Sequence, residues 1–259
     1  MEKELEVHIN KITFADLKAA LGNGWADFKR APVFGIFFGG VYALGGILLT
    51  YGVFDLGLPW LAYPIVIGFA LIGPFVATGL YEVSRNLEAC KPLRWRKILS
   101  VIWDQHRREL GWMAFVMLFI FWIWMYQVRT LVAVFFGTAG FANLEDLLTV
   151  IFTTEKGFIF LIVGHLIGAI ISLVLFSITV ISCPLLLDRE VDFVTAMLAS
   201  IRTVYRSPIV MIMWGISVVL CVLLSAIPAF LGLVVSLPIL GHTTWHLYRR
   251  VTSIQNKEV

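Results

Sequence analysis

Residues 201–250 read IRTVYRSPIVMIMWGISVVLCVLLSAIPAFLGLVVSLPILGHTTWHLYRR. Between Ser207 and Leu240 there is no formal charge over 34 residues. A single helix of that length would be about 51 Å long at 1.5 Å per residue, well beyond the ~30 Å of hydrocarbon it would have to cross. Pro228 sits where such a helix would have to turn back. The stretch therefore reads as two spans, about 208–224 and 228–248. An amphipathic run ending in Arg206 precedes them, and a basic, aromatic exit follows.

The rest of the chain repeats this plan. An amphipathic helix opens at Thr13, with Asp16 three residues on in a capping arrangement. Phe14, Leu17, Leu21, Trp25 and Phe28 share one face, while Asp16, Lys18, Asp27 and Lys29 fall elsewhere. This is the pattern of a helix lying on a membrane surface. Spans are expected at about 33–53, 59–81, 111–133 and 158–186. Gly57 lies in the turn after the first, and Gly35 and Gly39 form a G-x-x-x-G that allows close helix approach. A second such pair is Gly164 and Gly168. Two further amphipathic runs carry Trp95, Ile98, Leu99 and Ile102, then Val194, Met197, Leu198, Ile201 and Tyr205. Asn143 is placed to cap a short helix before the fourth span.

Composition agrees. Hydrophobic residues make up 59% of the 259 residues and charged residues 14%, against about half and a quarter in a soluble domain. The apolar runs are too long for the short alternating strands of a membrane barrel. The first residues, MEKELEVHINKITF, lack the basic-then-apolar order of a signal peptide. The three cysteines, Cys90, Cys183 and Cys221, form no C-x-x-C and read as apolar fillers. The net charge of +3 comes from basic residues beside the spans, so no nucleic-acid partner is expected.

Those basic residues orient the chain. With six spans, eighteen of the twenty Lys and Arg residues, including Lys3, Arg107, Arg108 and Lys257, fall on one side; only Arg129 and Lys156 fall on the other. The positive-inside rule then puts both termini in the cytoplasm. The expected fold is an all-α membrane protein of six transmembrane helices arranged as three hairpins. Each hairpin follows a cytoplasmic interfacial helix.

The three units align on Pro32, Leu110 and Pro208. Arg30, Arg108 and Arg206 each stand two residues before the anchor. Each second helix has a proline near its cytoplasmic end: Pro74, Pro184 and Pro238. One domain with a threefold internal repeat follows, of units about 13–91, 92–190 and 191–250, with polar tails 1–12 and 251–259.

Three motifs extend the reading: GPFVATGLYEVSRNLE at 73–88, SCPLLLDREVDF at 182–193 and LPILGHTTWHLYRR at 237–250. Together they resemble the bacterial inner-membrane family catalogued as domain of unknown function 2189. The resemblance covers most of the chain from about Phe14. It implies a bacterial cytoplasmic-membrane location and six helices, and it implies no established activity.

The candidate functional residues are the polar or helix-breaking ones inside the spans. Arg129 and Gln127 are the polar residues of the third span, and an intramembrane ionisable group is a site candidate by default. Snorkelling of Arg129 to the interface is the plainer reading. His165, about 10 Å into the fourth span, suits a proton relay or an interhelical hydrogen bond beside Gly164. Pro74, Pro184 and Pro238 each free a carbonyl four residues earlier, at Ala70, Val180 and Val234. Such carbonyls line a cavity or simply mark packing kinks. His242 and His246 share a helix face, in a sequence more like an interfacial belt than a metal motif. Glu82 and Asp188 read as solvated acids beside a basic interface. No G-x-x-x-x-G-K-[ST] or G-x-S-x-G occurs, so no catalytic, cofactor or metal residue is named and the chain leans away from an enzyme. The expected partners are the bilayer and either another membrane protein or a second copy. The leading expectation is a structural or accessory component of a membrane complex. The alternative is a small-solute or ion transporter with a cavity between the hairpins.

Overall fold

The computed structural model describes residues 8–55, 62–106, 109–137 and 144–253. Eleven α-helices account for nearly all of them. Helix α1 is Phe14–Arg30, α2 is Pro32–Thr50, followed by a π-helical turn at Tyr51–Asp55, and α3 is Ala62–Glu88. Then come α4 (Trp95–His106), α5 (Glu109–Phe136), α6 (Leu144–Thr153), α7 (Glu155–Thr179) and α8 (Ser182–Asp188). Helices α9 (Phe193–Arg206), α10 (Pro208–Ala226) and α11 (Leu233–Val251) complete the chain. Two short strands, β1 (His8–Ile9) and β2 (Thr252–Ser253), pair antiparallel and hold the two ends of the chain together.

Four stretches among the described residues are long and apolar enough to cross a membrane: α2, α5, α7 with α8, and α10. Helices α3 and α11 stand where the second and sixth spans were expected, and neither is among the four. For α11 the reason is its second half. His242, Thr243, Thr244, Trp245 and Tyr248 are buried there against other helices, so polar groups replace the apolar surface of an ordinary span. Lys3, Gly57, Arg107, Arg108, Asn143 and Lys257 lie outside the described residues.

The helix boundaries follow from local chemistry. Thr13 caps α1 in a capping box: Asp16 N–H donates to Thr13 Oγ1 (3.2 Å), and Thr13 N–H donates to Asp16 Oδ2 (3.0 Å). Helices α1 and α2 are separated by Ala31 alone, at φ −133°, ψ 51°; α9 and α10 are separated by Ser207 alone, at φ −138°, ψ 58°. Proline follows both. A residue before proline is driven out of helical geometry, and proline suits the first position of the next helix. The same pair of rules thus makes the same bend twice. At the end of α7, Val180 and Ile181 leave the helix three to four residues before Pro184, whose missing N–H frees the Val180 carbonyl. Pro238 remains inside α11, buried.

The chain divides into two units, Val116–Phe176 and the remainder. In the larger unit α11 is the hub, packed most extensively on α1 and α2 and also touching α3, α8 and α10. Glycines set these contacts. A Cβ on Gly24 of α1 would lie 2.7 Å from the Thr243 backbone nitrogen, and one on Gly39 of α2 would lie 2.7 Å from the Leu233 carbonyl oxygen. The first G-x-x-x-G therefore seats α2 on α11. Ile98 of α4 closes a second cluster with Phe34, Phe38, Val76, Leu80 and Val83.

Helices α1 and α9 dock through their small residues, whereas α4 docks through Ile98 and Ile102. In α1 the inward residues are Leu17, Ala20, Gly24 and Asp27, while Phe14, Leu21 and Trp25 are exposed. In α9 Ala196, Ala199, Ser200, Thr203 and Val204 turn inward, and Val194, Leu198, Ile201 and Tyr205 outward. Small residues bring helix backbones close, so the small face docks and the large apolar face is left outside.

In the smaller unit, α5 and α7 touch through side chains. Phe136 and Phe160 rings lie 5.1 Å apart, and Leu131 comes within 3.8 Å of the position a Cβ on Gly164 would take. Nothing lies within 4 Å of such a Cβ on Gly168, so the second G-x-x-x-G is half open. No residue in the apolar stretches of α5 or α7 is buried.

Candidate functional site

The densest polar chemistry lies where the last turns of α3, α8 and α11 converge, with α1 alongside. These segments carry the polar exits of three apolar helices, and packing brings the exits together. Asp188, the last residue of α8, accepts from Tyr248 Oη at 2.8 Å. Its carboxylate also lies 3.5 Å from Arg249 Nη1 and 3.9 Å from Arg85 Nε. Arg85 in turn reaches Glu82 (3.3 Å) and donates to the Leu187 carbonyl. Arg249 pairs with Glu88 at 3.1 Å, and Glu88 also accepts from Trp245 Nε1. Glu82 is buried and accepts from Asn86 Nδ2 at 2.6 Å. The expectation that Glu82 and Asp188 are merely solvated is therefore corrected. Both are bound into a network across three helices, and on α11 Gly241 leaves room for Leu80 of α3.

Deeper in, a second polar group joins α1, α3 and α11. Asp27 Oδ2 lies 2.7 Å from His246 Nε2, and Ser84 Oγ lies 2.7 Å from His242 Nδ1. Asp27 is buried, which by itself raises its affinity for a proton. Hydrogen bonds from His246 and Ser84 outweigh that and hold its carboxyl below the ordinary 3.8. If Ser84 donates to Asp27, its oxygen accepts from His242 Nδ1–H. His242 Nε2 is then a lone pair, buried and without a hydrogen-bond partner. The two histidines thus face a serine and a carboxylate on other helices, not one shared ligand.

The residues singled out in the sequence lie elsewhere. His165 is exposed on α7 and its Nδ1 bonds the Leu161 carbonyl within its own helix (2.7 Å). Arg129 is exposed on α5. The Gln127 amide is buried there, with neither its nitrogen nor its oxygen hydrogen-bonded. All three belong to the unit Val116–Phe176. Pro184 and Pro238 are buried, Pro238 against α2 near Gly35. Pro74 lies within α3 and its side chain is outside the described residues.

Sequence reasoning missed Asp27, Ser84 and Glu88. For Asp27 a signal was present: Ala20, Gly24 and Asp27 follow at helical spacing, a small-residue stripe beside the large apolar one. Such a stripe is a packing face, and a carboxylate on it needs a partner.

No curated protein and no solved structure matches the chain. Residues 62–188, from the start of α3 to the last residue of α8, match the model of the family described as "Predicted integral membrane protein (DUF2189)"; the match covers just under half of the chain and takes in the stretch 73–88 and the motif at 182–193 as far as Asp188.

Proposed function

We propose that the chain is a structural or accessory component of a membrane complex in the bacterial inner membrane. It crosses six times as three hairpins, each led by an interfacial helix, with both termini in the cytoplasm. The observation that carries this reading is the network around Asp188. Its polar groups, at one end of α3, α8 and α11, are bonded to one another, which suits a lock between helices. Apolar side chains face outward on α5, α7 and α10. The matching bends at Ala31 and Ser207 and the meeting of α3, α8 and α11 support the repeat. Native mass spectrometry of the gently extracted particle tests the reading. A second polypeptide in fixed stoichiometry is expected. A lone chain that passes solute in proteoliposomes would overturn it.

The transport reading keeps one observation in its favour. Gln127 has buried amide atoms without partners, which is costly in a packed bundle. Cysteines placed at Gln127, Arg129 and His165 in a cysteine-free chain, probed with an impermeant thiol reagent, decide it. Labelling at Gln127 favours an aqueous path, and protection there favours the scaffold.

A further inference from the structure

We infer that the exposed faces of α1 and α4 form a surface that gathers anionic phospholipid. This rests on the reading that both helices lie at the cytoplasmic membrane surface. The apolar part is outward by observation: Trp25 is 46% exposed and Trp103 64%, with Phe14, Leu21 and Leu99 also exposed. The chain enters candidate span α2 one residue after α1, so this face continues the membrane-facing surface of the protein.

Among the described residues, the charge beside it is unpaired. Lys29 and Arg30 end α1, Arg94 precedes α4, and Arg96 and Lys97 lie in its first turn; all five are exposed and none makes an ion pair among the described residues. Among the described residues, the nearby carboxylates are occupied. On α1, Asp16 is held by Thr13 and Arg250, and Asp27 by His246. On α3, Glu82 is held by Arg85 and Asn86, and Glu88 by Arg249. The cations bracket one ring pair. Phe34 of α2, one turn after Arg30, stacks on Trp95 of α4 with centroids 4.1 Å apart, and Trp95 sits between Arg94 and Arg96. Lys29 Nζ lies 5.8 Å from the Trp25 ring, at the level where an indole marks the headgroup boundary. Cations at headgroup height over an apolar face fit an anionic lipid layer, with acyl chains against the rings and phosphates among the cations.

The test uses the full chain with Cys90, Cys183 and Cys221 replaced by alanine, and a fluorophore attached at Leu21→Cys or Leu99→Cys. It is reconstituted in phosphatidylcholine vesicles holding equal small fractions of unlabelled and nitroxide-labelled lipid. The labelled lipid is either phosphatidylglycerol or phosphatidylcholine. Phosphatidylglycerol is expected to quench about two- to five-fold more effectively. The ratio should fall to one in high salt and in the combined variant Lys29→Gln, Arg30→Gln, Arg94→Gln, Arg96→Gln, Lys97→Gln. Equal quenching by both lipids in low salt would overturn the anionic preference and leave the surface placement standing. Quenching by neither would overturn the placement itself, and the inference with it.

Discussion

His246 Nε2 and Asp27 Oδ2 meet at 2.7 Å across a sequence separation of 219 residues, both side chains nearly buried. This contact ties the first helix to the last. Removing one side of a buried hydrogen bond to a carboxylate leaves the other group without a partner. Asp27→Ala is expected to destabilise the protein by about 1–3 kcal/mol, and Asp27→Asn, which keeps a hydrogen-bonding side chain, by less. Unfolding monitored in detergent by tryptophan fluorescence measures both.

The same carboxylate sets an acid limit. Asp27 binds its proton more weakly folded than unfolded, since its value lies below the ordinary 3.8. Its contribution is therefore fully present above the ordinary value and is lost as pH falls through the lowered one. Stability should drop on acidification below about pH 4, and Asp27→Asn should flatten that part of the profile. An unchanged acid limb in the variant would contradict the assignment.

Gly24 and Gly22 make an internal control on α1. A Cβ at Gly24 would press on the Thr243 backbone, whereas nothing lies within 4 Å of one at Gly22. Gly24→Ala should cost about 1–3 kcal/mol by forcing α1 from α11. Gly22→Ala should be neutral or stabilising by up to about 1 kcal/mol, through helix propensity. Thermal unfolding of the two variants side by side measures the difference.

Tyr248 and Asp188 link α11 to α8. Tyr248→Phe should cost about 1 kcal/mol. In a double-mutant cycle with Asp188→Asn the two losses should be less than additive. The arginines at the network rim are more than a third exposed, so Arg85→Gln and Arg249→Gln should each cost less than about 1 kcal/mol.

Gly39 and Gly168 stand in the two G-x-x-x-G pairs and should behave oppositely. Gly39→Leu should disrupt the packing of α2 on α11, since its Cβ would meet the Leu233 and Val234 backbone. Gly168→Leu should leave the monomer intact. If it instead dissociates the extracted particle, the open face of α7 is where a neighbouring helix sits.

The helices themselves were legible. Runs such as 208–224 and 111–133 are apolar over the length of a bilayer, and the helices found there match within a few residues. Thr13 with Asp16, and Pro208 after Ser207, marked helix starts that local hydrogen bonding and fixed proline geometry enforce wherever the chain goes. The face each amphipathic helix presents was harder to read. In α1 the large apolar stripe read as a membrane-surface face, and that reading left open which residues dock; Ala20 and Gly24 do, because close approach depends on small side chains more than on hydrophobicity.

What the sequence determined by itself was everything of short range or of summed composition: a helical membrane protein, and where its helices start and bend. Only the tertiary structure decided that Asp27 meets His246, that Ser84 meets His242, and that Asp188 binds three side chains of α3 and α11. Polar residues at helix ends look alike in sequence whether they face water or one another. The difference lies in which helices pack together, and that is set by glycines and prolines on helices far apart in the chain.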